Sequence, residues 1–119
     1  MKRLHLIQHR GKEILYLDFS NCDVKEIFEV IEMAKKIIRV QQQNTVLTLS
    51  DVTGTHYNRE VVQALKEFAH GNTPFVKAGA VIGIDGLKKI LYDAVMKFTG
   101  RSLPAFDDVE KAKDWLVEQ

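Results

Sequence analysis

Residues 45–58 read TVLTLSDVTGTHYN. Apolar and polar side chains alternate as far as Ser50, the pattern of a half-buried strand, and the run then breaks into Asp51-Val-Thr-Gly-Thr ahead of a helix start. In open α/β sheets, the loops at the carboxyl ends of the strands form the working surface. The segment therefore predicts an α/β sheet and gathers the candidate recognition residues into one loop: Asp51, Val52, Thr53, Gly54, Thr55, His56 and Tyr57.

Upstream of this strand, Leu4–His9 and residues 14–19 are apolar-rich runs separated by Arg10-Gly11-Lys12-Glu13, which reads as an antiparallel hairpin. Asp23 and Glu26 have capping-box spacing, and Val24, Ile27, Phe28, Ile31, Ala34 and Ile38 follow at helical period. Downstream, Thr55 or Asn58 caps a helix that buries Val61, Val62, Leu65, Phe68 and Ala69, with Gly71 as its stop. The small and apolar run of residues 78–84 reads as a central parallel strand covered on both faces. Asp85 caps a third helix with Leu87, Ile90, Leu91, Ala94, Val95 and Phe98 on its apolar side, and Gly100 ends it. Pro104 marks residues 103–106 as an edge strand. Asp107 with Glu110 repeats the capping-box spacing before Val109, Ala112, Trp115 and Leu116. The order β-β-α-β-α-β-α-β-α predicts one domain over residues 1–119, a mixed sheet of about five strands with four helices.

The 119 residues suffice for one core without disulfides or metals. Lys and Arg number 17 against 16 Asp and Glu, so the overall charge points to no nucleic acid partner. Lys88, Lys89, Lys97 and Arg101 read as solvated lysines and arginine rather than a binding patch. Cys22 is the sole cysteine, which fits a reducing cytoplasm. The amino-terminal residues are not expected to form a signal peptide, and no apolar run reaches the roughly 20 residues of a membrane span. Peripheral membrane contact is left open.

The element order, the Asp51-Val-Thr-Gly loop and the terminal pattern of Phe106, Asp107, Glu110, Ala112, Trp115 and Leu116 together resemble the STAS superfamily, in its SpoIIAA-like branch. The resemblance implies a bacterial, non-enzymatic module without a cofactor, related to the anti-sigma factor antagonists. Such a module binds a regulatory protein partner or carries a small apolar or lipid-like ligand. In the antagonists the residue after the loop Asp is a phosphorylated hydroxyl. Here it is Val52, which has no oxygen to modify, and Thr53 becomes the candidate phosphoacceptor. With a pure protein-binding role Phe28, Met33, Phe68 and Phe75 are expected to be wholly core. With a carrier role some of them line a pocket beneath a mobile helix. Trp115 and Phe106 read as core anchors of the last helix, and the alternative reading makes that terminal helix the lid.

A competing reading takes Asp51-Val-Thr-Gly-Thr55 as similar to the aspartyl-phosphate signature of haloacid dehalogenase-type phosphoryl transfer, with Asp51 as nucleophile. That chemistry also needs Mg²⁺, for which Asp107 and Asp108 imitate the acidic pair, and a Lys to neutralise the developing charge, Lys88 or Lys89. Chain length and the leading hairpin oppose it. His56 and Tyr57 beside Asp51 form a second titratable grouping, expected to be a solvated first helical turn. His5 and His9 share a strand face but lie about 13 Å apart at 3.3 Å per residue, too far to bind one metal. No metal site is expected.

Overall fold

The computed structural model describes residues 3–86, 88–100 and 103–119. Its opening hairpin pairs β1 (Leu4–His9) with β2 (Lys12–Asp18) in antiparallel register, His9 opposite Lys12. Arg10 and Gly11 alone make the turn, at φ 51° and 80°, the doubly positive geometry that matches strand twist in two-residue hairpins. From β2 onward every pairing is parallel: β3 (Val46–Asp51), β4 (Val76–Ile82) and β5 (Ala105–Phe106) follow in spatial order β1-β2-β3-β4-β5. The intervening helices are α1 (Val24–Ile38), α2 (Arg59–Asn72), α3 (Lys88–Thr99) and α4 (Val109–Val117). Five strands and four helices among the described residues reproduce the expected order, with β5 at the edge.

The helices divide unequally between the two faces. On one face α1 and α2 bury Ile27, Val30, Ile31, Ala34, Ile38, Val61 and Phe68 against Leu15 and Leu17 of β2. On the other, α4 alone buries Ala112, Leu116 and Val117 against Ile14, Leu47, Leu49, Ala78 and Ala80. α4 is also pinned at its edge. His9 Nε2 lies 2.8 Å from Asp114 Oδ1, and Lys12 Nζ donates to the Val117 carbonyl at 2.7 Å. The His9 hydrogen bond, followed by the nearby Arg10 charge, holds the Asp114 carboxyl below its ordinary pKa.

Local capping sets most helix starts. Asp23 and Glu26 close a reciprocal capping box on α1, and Asn58, not Thr55, caps α2 through Val61 N. Asp108 caps α4 through Glu110 N and Lys111 N, one residue later than the spacing suggested, because Phe106 is held in β5. Asp107 instead faces Lys111 at 3.8 Å. Gly71 does not stop α2. The helix runs through it to Asn72, and the Arg39 guanidinium occupies the space that a side chain at residue 71 would take. Arg39 Nε then binds Asn72 Oδ1 at 3.2 Å. Gly100, at φ 68° with its N–H on the Met96 carbonyl, ends α3 as expected.

α4 packs as the core-anchor reading expects rather than as a lid: its apolar stripe is buried across the sheet, with Phe106 and Trp115 against it. α3, by contrast, leans mainly on α2 and buries only Lys88 and Val95. Its inward stripe is Lys88, Leu91, Tyr92, Val95 and Met96, while Ile90 is 73% and Phe98 49% exposed. Phe98 rests on α2 between His70 and Lys66, which accounts for its outward turn. Leu87 and Arg101 lie outside the described residues. Of the four candidate core side chains, Phe68 is buried, Phe28 and Phe75 are half-buried, and Met33 is exposed.

Candidate functional site

β3 ends at Asp51 on the carboxyl edge of the sheet, where the β2–α1, β3–α2 and β4–α3 loops meet. The Asp51 carboxylate is engaged at both oxygens. Oδ1 accepts from Thr53 N at 3.0 Å and from Thr53 Oγ1 at 2.7 Å, and Oδ2 accepts from Tyr16 Oη at 3.0 Å. This is the local side-chain turn that Asp and Thr favour at such junctions. Burial first, then the charge and hydrogen bond of Asp51, push the Tyr16 phenol well above its usual range.

Neighbouring loops close the turn from both sides. Phe19 N donates to the Asp51 carbonyl, Asn21 N to the Thr53 carbonyl, and His56 N to the Cys22 carbonyl, all within 3.0 Å. Thr55 is buried and its hydroxyl lies 2.8 Å from both the Phe19 and Val52 carbonyls. Two glycines make the crossing sterically feasible. Gly54, at φ 65°, leaves its Cβ space to Asn21 Oδ1, and Gly83, at φ 90°, leaves its own to the Thr53 backbone.

The seven loop residues therefore separate. Asp51 and Val52 are half-buried and Thr55 is buried, whereas Thr53, Gly54, His56 and Tyr57 form the exposed tip. His56 Nδ1 faces the Cys22 carbonyl at 3.3 Å, so the His56–Asp51 grouping read from proximity is not formed. The Cys22 thiol is fully buried, and burial raises its pKa despite the helix start beside it. Asp107 and Asp108 are occupied with Lys111 and the start of α4. Among the described residues no three His, Cys, Asp or Glu side chains converge as metal ligands would.

Beside this loop, beneath α3, lies a cavity of about 120 Å³ that opens toward solvent. Its floor is the α3-facing side of β3 and β4: Thr48, Ser50 and Val81, with Gly79 between them against Leu103. Its walls are Leu65, Phe68 and Ala69 from α2 and Leu91, Val95 and Met96 from α3. Val52 lines the cavity, joining it to the loop. The polar members are few. Asn72 is fixed by Arg39, and Tyr92 donates its hydroxyl to the Leu103 carbonyl. Lys88 is 7% exposed, with Nζ 2.9 Å from Asp85 Oδ2. Lys88 thus departs from the solvated-lysine expectation.

Sequence reasoning overlooked this cavity, although both of its signals were present. Thr48 and Ser50 alternate with Leu47 and Leu49, so they must share the opposite face. Lys88, Leu91, Tyr92, Val95 and Met96 recur at helical spacing, a second stripe that competes with the more apolar one through Ile90 and Phe98.

No protein-family model matches the chain, and no curated protein matches it. Among solved structures, an uncharacterised protein of the DUF3478 family with a SpoIIAA-like fold, from Shewanella loihica PV-4, superposes with a TM-score of 0.70. The superposition covers 95% of this chain and 91% of that one at 18% identity. The mixed sheet, the element order and this likeness together establish that the chain has the SpoIIAA-like fold.

Proposed function

We propose that the protein is a non-enzymatic STAS-type module that reversibly binds a small apolar ligand beneath α3. The cavity floor carries this reading: β3 positions that would ordinarily hold branched aliphatic side chains are Thr48 and Ser50, below about 120 Å³ left unfilled under an apolar helix. An engineered apolar cavity of about 150 Å³ accepts benzene, so the space suits a ring or short chain of that size. α3 is the natural gate, because it leans on α2 and leaves the sheet below it uncovered. The mobile-helix idea thus moves from α4 to α3. Both oxygens of Asp51 already accept hydrogen bonds, which supports a structural rather than nucleophilic role for it.

The test is a methyl NMR titration with hexan-1-ol. Shift changes are expected at cavity methyls, among them Leu65, Val81, Leu91, Val95, Met96 and Leu103. Unchanged cavity methyls at saturating alcohol overturn the carrier reading.

The loop tip favours a second reading, a regulatory protein partner. Thr53, Gly54, His56 and Tyr57 point outward from a backbone held on both sides, a preorganised surface that loses little freedom on binding. A photo-crosslinking residue at Tyr57 should then capture a partner that a Gly54→Trp variant loses. Identical adducts from both forms sink this reading. Thr53 is the phosphoacceptor on offer, exposed and hydrogen-bonded to Asp51. Phosphate there would oppose the Asp51 charge and open the turn. Intact mass of protein from its source, with Thr53→Val as control, decides it. The buried reduced thiol of Cys22 suits a cytoplasmic setting, and no helix among the described residues is long and apolar enough to cross a membrane.

A further inference from the structure

The floor of the cavity beneath α3 carries two hydroxyls that the fold itself does not use, those of Thr48 and Ser50 on β3. Thr48 pairs across the sheet with Leu15 and Gly79, and Ser50 with Leu17 and Val81, so neither neighbouring strand offers these hydroxyls a side-chain partner. Neither makes a hydrogen bond among the described residues. Thr48 is nevertheless only 8% exposed. No polar side-chain atom among the described residues is sealed from solvent without a partner, so Thr48 Oγ1 is reached through the cavity.

The other polar groups of the lining are engaged. Asn72 Oδ1 accepts from Arg39, and Tyr92 donates to the Leu103 carbonyl. Lys88 is held twice by Asp85: its Nζ donates to Oδ2 at 2.9 Å, and its backbone N–H faces Oδ1 at 3.4 Å where α3 begins. The ammonium of the lining is thus matched by a carboxylate tied to the helix start, and an incoming ion finds no unpaired charge. Burying an ion without a partner is far costlier than burying a hydroxyl that finds one. The site therefore selects against ions.

The same floor disfavours a pure hydrocarbon. The cavity opens toward solvent, so water can serve Thr48 when no ligand is bound. A hydrocarbon that displaces that water strands the hydroxyl, whereas a ligand with its own hydroxyl replaces the lost hydrogen bond. Thr48 and Ser50 stand two residues apart on one strand face, about 6.6 Å at 3.3 Å per residue, a span that one oxygen bridges with two hydrogen bonds of about 2.8 Å. A hydroxyl can accept from one and donate to the other, while a carbonyl only accepts.

We propose that the ligand is a small uncharged molecule with one hydroxyl, its oxygen seated between Thr48 and Ser50 and its hydrocarbon body between α2 and α3. This rests on the carrier reading above. Cavity volume limits the body to roughly the size of benzene, bounded by Leu65, Phe68, Leu91 and Val95.

The probes are phenol and toluene, which differ by a hydroxyl in place of a methyl, and Thr48→Val makes the same exchange on the protein. Valine suits a strand, and toluene reports on the cavity in both forms. Both probes are titrated by methyl NMR at pH 7 into the full chain. Thr48→Val should weaken phenol about fivefold relative to toluene, the worth of one hydrogen bond, and Thr48→Ser, which keeps the hydroxyl, should retain most of the wild-type ratio. A ratio that Thr48→Val leaves unchanged overturns the hydroxyl assignment, while toluene binding keeps the carrier reading standing. Loss of the ratio in Thr48→Ser as in Thr48→Val traces the effect to shape and overturns the assignment too. Benzoate should bind wild type at least about tenfold more weakly than phenol, and benzoate binding as tight as that of phenol overturns the uncharged class. If neither phenol nor toluene moves the cavity methyls of wild type, both readings fall together.

Discussion

Strands β3 and β4 present two different proteins to their two sides. Toward α4 they offer Leu47, Leu49, Ala78 and Ala80, closed over by Ala112, Leu116 and Val117. Toward α3 they offer Thr48, Ser50, Gly79 and Val81, with a cavity above them. Because side chains alternate along a strand, the same few residues of backbone encode a sealed core and an open one independently. The closed side supplies stability, and that frees the other to remain incompletely packed. Sites that must admit a ligand draw on the weakly packed end of a structure, and α3 is that end here.

The largest expected effect tests the closed side. Leu116→Ala removes a fully buried side chain from a close-packed layer, so it should cost about 2–5 kcal/mol, as large-to-small core changes do. Leu91→Ala on α3 deletes the same atoms from a half-buried wall of a space that is already empty. Its cost should fall below that range, and urea titration of both variants measures the difference. Equal losses would mean that the two faces are packed alike.

Adding volume should reverse the ranking. Ala80→Leu pushes three carbons into the α4 core, where Ala80 is 1% exposed, and should destabilise by about 1–3 kcal/mol. Ser50→Leu, on the same sheet but the other face, places those carbons in the cavity. It should be neutral or stabilising by up to about 1 kcal/mol and should abolish hexan-1-ol binding. Destabilisation by both, with alcohol binding retained in Ser50→Leu, breaks the comparison.

These contrasts show where the sequence is legible. Alternation in 45–50, the Asp23 and Glu26 box and the Arg10-Gly11 turn are local signals, and each determined an element without knowledge of the rest. The alternative that made α4 a lid rested on its being short and terminal, traits that suggest detachment, against the core-anchor reading of Phe106 and Trp115. What holds α4 is the matching layer of Leu47, Leu49 and Ala80, supplied by strands far away in the chain. On α3 two stripes overlap, and apolarity alone selects the one through Ile90 and Phe98. The structure turns the stripe with Lys88 inward, a choice that depends on what α2 and the small-residue floor leave open. The loop was found from residues 45–58, but its rigidity was not. The hydroxyl that fixes Asp51 belongs to Tyr16, 35 residues upstream and one strand away.

That hydroxyl offers the smallest effect and a sharp one. Tyr16 lies on the α4 side of the sheet, stacked on His5 at 4.9 Å, with its Oη on Asp51. In the unfolded chain a tyrosine ionises near pH 10. In the folded chain burial, then Asp51, raises that value, so the folded state keeps a proton that the unfolded state gives up. The stability contributed by Tyr16 is therefore complete below about pH 10 and declines as pH climbs from there toward the folded value. Tyr16→Phe should cost about 1 kcal/mol at pH 7, the worth of one hydrogen bond, and should flatten the alkaline limb of a stability-against-pH curve. Tyr92, raised chiefly by burial on the α3 side, contributes to the same limb, so Tyr92→Phe should flatten it independently and the double variant more than either. If Tyr16→Phe leaves the limb as steep as in wild type, the Asp51 turn is not held from the closed face. The rigidity of the loop would then have to come from its backbone crossings with the β2–α1 and β4–α3 loops alone.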